Sequence, residues 1–464
     1  MKLKSGVSYL GLLCVVLAAP AQAAKITIGD QGGYVDVGAI VQTWVRMEQN
    51  GNAHHDGVST DIFFRRMRIY VNAQLNEHIG VIVNTDVSYA ETYVTPQTGI
   101  VTNPTTQLQA IRFNQPSIVI NEGLGYYAFC KEFILMAGLQ LVPWTHESFT
   151  DVQRFGSLDE QTDVTQRGRP GGNGGGFESR DRDMGIAFRG LLFNDIINYR
   201  IGVFNGTQTA LGAVGATASG LTVPIGTPAV ATAATFPAYA GANPGDAPSF
   251  DGFIRLNIVG SEGGYAFCGL CNDGKAYFSV GFGANLQPRG VIAPARTSPT
   301  ATYAAYFADL FLDLPFGDNE FVLEGGWVRN VYSGNGAPLQ SATALALINN
   351  AGDGFYGHVG MRFAWFYPYF AFEDYISNLN PNNVQSTFVQ FGNGGLPAAG
   401  RVGTLQTYHV GIKLLTSPAP SSAFHIDLDV AFQNKTNAGE VIPGSTEPLN
   451  GNQWVTTLSF NFKI

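Results

Sequence analysis

Cys268 and Cys271 form a Cys-x-x-Cys pair, a spacing used for thiol exchange, for haem attachment and for half of a zinc site. Haem attachment calls for histidine directly after the second cysteine, where this chain carries Asn272, and zinc calls for a second ligand pair that is missing. In an oxidising compartment the expectation is a local disulfide between Cys268 and Cys271, with Cys130 left as a free or intermolecular thiol. The seven histidines, His54, His55, His78, His146, His358, His409 and His425, are scattered along the chain. None belongs to a Gly-x-Ser-x-Gly elbow, a zinc helix motif or a phosphate loop. The chain is therefore expected not to be an enzyme and to need no cofactor or metal.

Charged residues at alternate positions offer a different chemistry. Arg66, Arg68, Asn72 and Gln74 alternate with Met67, Ile69, Val71, Ala73 and Leu75. After the turn Asn76-Glu77-His78, Val81, Val83 and Val87 alternate with Asn84, Asp86 and Ser88. A period of two belongs to a strand with one face in an apolar medium and one in water, so the two segments read as a hairpin. The same parity puts Arg46, Arg66, Arg68, Arg189, Arg200, Arg255 and Arg362 on the polar face, with Asp36, Asp86, Asp251, Glu324, Glu373, Asp427 and Asp429. Six of these seven arginines precede residue 260 and four of the seven acids follow residue 319, which sets a transverse field across any enclosed lumen. Walls of fixed charge tune ion preference, and a guanidinium suits transient bidentate contact with carboxylate or phosphate.

The elements that hold these residues follow from composition and period. Charged residues make up 13% of the 464 positions, where a soluble domain has about 25%. Mean hydropathy is only +0.05, and after residue 23 no uninterrupted apolar run approaches the roughly 20 residues of a membrane helix. A hydrophobic share of 45% argues against disorder. Residues 1–23 read as a secretory signal: Lys2 and Lys4 form the basic region, Tyr9 to Ala18 the apolar region, and Ala21-Gln22-Ala23 the cleavage site. Losing the two lysines takes the net charge from −9 to −11, and with no basic run nucleic acid is not an expected partner.

Strands are predicted near 34–47, 61–75, 79–91, 115–128, 131–142, 182–191, 195–206, 249–260, 275–286, 300–313, 319–332, 353–365, 367–378, 404–416, 421–434 and 452–464. Sixteen strands of about 10 to 15 residues suit tilted crossings of a bilayer. Short connections at 76–78, 129–130, 192–194, 314–318 and 417–420 alternate with long ones at 92–114, 143–181, 207–248, 333–352 and 379–403. The fold class is thus all-β: a transmembrane antiparallel β-barrel over 24–464, in the bacterial outer membrane and in contact with its lipid. Phe363, Trp365, Phe366, Tyr367, Tyr369 and Phe370 bracket one tight turn, as an interfacial aromatic girdle would. Trp454, Leu458, Phe460, Phe462 and Ile464 share one face of the last strand. The loop from Pro143 to Asp181 is long enough to be functional. It is expected to fold into the barrel, with Arg154, Asp159, Glu160, Arg167 and Arg169 at a constriction.

Phe64-Arg65-Arg66-Met67-Arg68, Ala137-Gly138-Leu139-Gln140-Leu141-Val142-Pro143-Trp144 and Tyr199-Arg200-Ile201-Gly202-Val203-Phe204-Asn205-Gly206 resemble, in strand order, the phosphate-selective porins of the O/P type. The resemblance implies a sixteen-stranded homotrimer whose third outer loop narrows the pore. From the residues themselves, a closed barrel of this size leaves an aqueous lumen. The expected function is therefore a diffusion channel for small hydrophilic solutes or ions; an anion preference is one option, and the mixed charges of the lumen leave anion or cation preference open. A second reading, resting on cysteines at the inner side, is a barrel that sheaths or docks a periplasmic redox partner.

Overall fold

In the computed structural model the described residues are 24–28, 33–49, 58–88, 117–151, 156–158, 182–206, 247–292, 300–334, 352–377, 404–415, 424–436 and 451–463. The segment 1–23 assigned to a signal, the His54-His55 pair, Ile464 and the loop residues Arg154, Asp159, Glu160, Arg167 and Arg169 lie outside them.

The strands are β1 (Ala24–Ile28), β2 (Gly33–Gln49), β3 (Val58–Gln74), β4 (Ile79–Ser88), β5 (Ser117–Cys130) and β6 (Phe133–Leu141). There follow β7 (Arg182–Leu192), β8 (Ile197–Phe204), β9 (Ser249–Val259), β10 (Tyr277–Ile292), β11 (Thr300–Phe316) and β12 (Asn319–Gly334). The last five are β13 (Gly352–Phe363), β14 (Phe366–Ser377), β15 (Thr404–Leu415), β16 (Phe424–Thr436) and β17 (Gly451–Lys463). From β2 onward each strand pairs antiparallel with the next, and β17 returns to β2 with Leu458 opposite Val45. Sixteen staves close the barrel, which abolishes the sheet edge that lipid could not satisfy.

All sixteen predicted strands are present. The short β1 is an addition: it pairs Ala24 with Val37 through Ile28 with Gly33, along the part of the β2 edge that lies beyond the Lys463–Ile40 pair of β17. The turn predicted at 129–130 falls at 131–132, so Cys130 is the last residue of β5, and it is exposed.

Burial is inside out relative to a soluble domain. Ile62, Ile118, Ile186, Ile254 and Val410 are exposed on the outer face, Ile118 by 77%, while Gln42, Arg66, Arg68, Asp86 and Glu122 are buried inside. Lipid contact explains the first group, and enclosure by sixteen strands the second. At Arg65 the β2–β3 register jumps from Gln42 opposite Arg66 to Thr43 opposite Phe64. This one-residue bulge flips the parity of β3, so Phe63 and Arg66 both turn inward.

The aromatic row after β13 is divided rather than a single girdle. Trp365 and Phe370 face outward, but Tyr367 and Tyr369 are buried within the barrel. The reason is visible on β11, whose inward positions Tyr303, Ala305, Phe307 and Phe311 are also apolar. The inner face of β11 to β14 does not line open water throughout. It packs against chain that has entered the lumen.

Candidate functional site

Among the described residues two segments enter the barrel, from opposite ends. After β6 the chain turns inward from Val142 to Thr150, with a single 3-10 turn at Glu147–Phe149, and every residue of this stretch is buried. Trp144 packs on Phe307 at 5.1 Å between ring centroids. Gly156, Ser157 and Leu158 are buried farther across, where a Cβ on Gly156 would collide with the His358 ring. From the short-turn end, the connection between β9 and β10 rises into the lumen and buries Glu262 and Phe267 to Asn272. It reverses through Asn272 and Gly274, both at positive φ (50° and 74°), where glycine and asparagine are the least strained residues.

The segments meet as a short parallel bridge between Thr150 and Phe267. The Phe267 N–H donates to the Phe149 carbonyl at 2.8 Å, and the Asp151 N–H donates to the Phe267 carbonyl at 3.1 Å. His146 fastens the junction. Its Nδ1 lies 2.7 Å from Glu324 Oε1 on β12, and its Nε2 lies 2.9 Å from Glu262 Oε2 on the rising connection. Its backbone N–H donates to Asp309 Oδ2 at 2.9 Å, and the ring stacks between Phe267 and Phe311. Ionised carboxylates only accept, so both ring nitrogens act as donors when the imidazole is protonated. Burial works against that charge, but Glu262 and Glu324 outweigh it and raise the His146 pKa from 6.5 to about 9.

Below this junction the connection is pinned to the wall. Cys268 and Cys271 are joined by a disulfide. The Cys271 N–H donates to Asp313 Oδ2 at 3.0 Å and the Asn272 N–H to Glu320 Oε1 at 2.7 Å, while Arg362 Nε holds the other Glu320 oxygen at 2.9 Å. Glu262 stands close enough to both sulfurs for a shared metal, but sulfurs bonded to each other are not thiolate ligands, so the cluster reads as a structural pin. The pair is buried within the lumen, not displayed where another protein would dock.

The arginines and acids expected along open water are, for the most part, held in buried contacts. Arg66 donates to Gln42 at 2.7 Å, Arg68 pairs with Asp86 at 2.8 Å, and Arg255 pairs with Asp309 and donates to Ser279. Asp427 is reached by Lys413 at 3.7 Å, and Asp429 by His409 at 3.0 Å and the Tyr369 hydroxyl at 2.7 Å. Glu373 lies 3.8 Å from His409, and Glu324 is shared by His146 and His358. Arg46 is less buried and pairs with Glu48 at 2.7 Å. Arg189 and Arg200, opposite each other on β7 and β8, hold backbone carbonyls of residues 263 to 265.

One cavity among the described residues, of about 470 Å³, lies between the plug and the wall of β2 to β7. It is lined by Asp36, Arg68, Glu122, Arg182 and Arg189, by Lys463 and Asp151, and by Tyr34, Tyr70 and Tyr126. Arg182 pairs with Glu122 at 2.9 Å, and Lys463 lies 3.8 Å from Asp151. Sequence reasoning did not select His146, Glu262, Asp309, Glu320 or Arg182. One usable signal was β11, whose inward face is apolar apart from Asp309 and Asp313 and whose outward face is largely apolar, a pattern close to that of strands covered on both sides.

A comparison with protein-family models gives no match, and one with curated proteins gives none either. Solved structures similar in fold include OmpF of Salmonella typhi in complex with daunomycin, at 8% identity and TM-score 0.50 over 95% of this chain and 100% of that one. An anion-selective porin from Comamonas acidovorans is 10% identical over 93% of this chain and 100% of its own, with a TM-score of 0.49. The outer membrane channel DcaP of Acinetobacter baumannii is 10% identical over 96% and 100%, with a TM-score of 0.48. At such identities the likeness speaks for the fold alone. A closed sixteen-stranded antiparallel barrel with an apolar exterior is the fold of outer-membrane porins, and this chain is a transmembrane barrel of the bacterial outer membrane.

Proposed function

We propose that the chain is a non-enzymatic diffusion channel whose path runs off-axis, through the gap between the plug and the wall of β2 to β7. The observation that carries this reading is the polar cavity of about 470 Å³ beside the aromatic packing of Trp144, Phe149 and Phe267. A gap of that size, lined by charges and tyrosines, passes small hydrophilic solutes or ions. Its lining cations, Arg68, Arg182, Arg189 and Lys463, exceed its acids, Asp36, Glu122 and Asp151, by one, which favours anions. That preference agrees with the resemblance to O/P-type phosphate porins, as does assembly into a homotrimer. In this reading Arg154, Asp159, Glu160, Arg167 and Arg169 rim the constriction. Arg66, Arg200, Arg255, Arg362, Glu324, Glu373, Asp427 and Asp429 act by fixing the plug and the wall.

Planar-bilayer recording tests the proposal. The isolated protein is expected to give discrete conductance steps, and a salt gradient to give a reversal potential on the anion side. Deleting 155–178 is expected to raise the single-channel conductance. A protein that inserts but carries no current would refute the channel, and unchanged conductance after the deletion would refute the constriction.

A further inference from the structure

The inward cations of this barrel, buried or half-buried, differ in how they are neutralised. Arg68, Arg182, Arg255, Arg362 and Lys413 each face a carboxylate. Arg189 and Arg200 do not: among the described residues both are held by carbonyl oxygens alone. Arg189 Nη1 donates to Gly263 and Gly264 at 3.2 and 3.0 Å, and Arg200 Nη2 donates to Gly264 and Tyr265 at 3.0 and 2.7 Å. The two residues are register partners, so two positive charges stand side by side with no acid between them. Arg200 is 1% exposed, its guanidinium lies 4.1 Å from the Phe149 ring, and its Nε and Nη1 have no hydrogen-bond partner. Aromatic faces soften such a charge but do not cancel it.

Arg189 differs from Arg200 in reach, because it lines the cavity. Its Nε is buried without a partner, and Nη2 has no hydrogen bond among the described residues. Tyr126 lines the same cavity, and its hydroxyl has no hydrogen bond there either. It shares a face of the sheet with Arg189, with β6 between them: Tyr126 lies opposite Met136, Met136 opposite Ala187, and Arg189 is two residues farther along β7. A guanidinium edge and a phenol hydroxyl turned to one polar cavity, with a second uncompensated cation behind them, make a field that a bound oxyanion would neutralise.

We propose that Arg189 and Tyr126, backed by the charge of Arg200, form an oxyanion-binding subsite in this cavity, taking a small carboxylate or inorganic phosphate. The inference rests on the channel reading and locates its anion preference at one wall. An oxyanion held there slows the passage of chloride, so acetate or phosphate should block the chloride current saturably.

The test uses the full-length protein in planar bilayers, with potassium chloride as carrier and acetate or phosphate titrated separately. Arg189→Gln is expected to lower the anion-to-cation permeability ratio and to weaken the block about tenfold, the loss of one charge-assisted hydrogen bond. Arg189→Lys should restore the permeability ratio but only part of the block, and Tyr126→Phe should weaken the block without changing the ratio. Block by acetate alone or phosphate alone would assign the subsite to that oxyanion. An Arg189→Gln channel with wild-type permeability ratio and block would overturn the proposal while leaving the channel standing. A wild-type protein without current would sink the channel reading instead. In that event calorimetric titration of the detergent-solubilised protein with acetate and phosphate decides the subsite: heat lost in Arg189→Gln supports it, and no heat in the wild type refutes it.

Discussion

At the scale of single residues, His146 carries most of the coupling between the parts of the plug. It belongs to the outer loop, yet its ring nitrogens touch a carboxylate of the rising connection and one of the wall. Its pKa in the plugged barrel, about 9, stands above the ordinary value of 6.5. A raised histidine pKa gives stabilisation that is complete below the ordinary value and is lost as the pH rises through the shifted one. Single-channel conductance is therefore expected to be flat from pH 6 to 7 and to rise between about pH 8 and 10 as the plug loosens. His146→Gln, which does not titrate, should abolish that rise, and a wild-type conductance independent of pH up to 10 would contradict the assignment. His146→Ala strands Glu262 and Glu324 as buried acids, a change of about 3–5 kcal/mol against the plugged state. Little of this was legible beforehand, because His146 sits in a segment without period, and a lone histidine in a loop carries no mark of its partners.

At the scale of elements, the connection between β9 and β10 is the one that joins the plug to the wall. Its Cys-x-x-Cys spacing fits a local disulfide, but nothing in the spacing tells that the segment rises into the lumen to meet Phe149. That information resides in the wall. Tyr303, Phe307, Phe311, Tyr367 and Tyr369 are inward residues too apolar to line water, and in sequence they look the same as lipid-facing ones. Period two assigns a face to each residue but cannot name the medium that each face meets. Replacing both Cys268 and Cys271 with serine removes the pin while keeping volume and polarity close to the original. Open-channel current noise and mean conductance are expected to increase, because residues 262–272 then sample lowered positions more often. Identical noise and conductance in the serine variant would show that the backbone hydrogen bonds accepted by Asp313 and Glu320 hold the connection without the disulfide.

At the scale of the whole molecule, the sequence was most transparent. The sixteen long strands were readable because lipid and enclosed polar surroundings impose opposite demands on alternate residues, and each barrel strand meets both. The low share of charged residues follows from the same cause, since the outer belt admits none cheaply. β1 was not readable: five residues are too few for a period, and its place comes from the free edge of β2. A charge forced onto the belt should be costly in proportion to depth. Ile254→Arg, on the outer face midway along β9, is expected to lower folding stability in lipid vesicles by about 2–4 kcal/mol, read from the urea midpoint. An unshifted midpoint would mean that this face is covered by protein instead of lipid.

Among the described residues two inward segments, one from each end, meet within the lumen, and the proposed path runs off-axis beside them. The most direct test of this arrangement is the single-channel conductance of a variant in which residues 261–275, the whole rise of the inner connection, are replaced by a two-residue turn. A several-fold larger conductance with weaker ion preference is expected, because the outer loop loses the Phe267 bridge and the Glu262 contact together. Wild-type conductance in a correctly folded variant would contradict the arrangement.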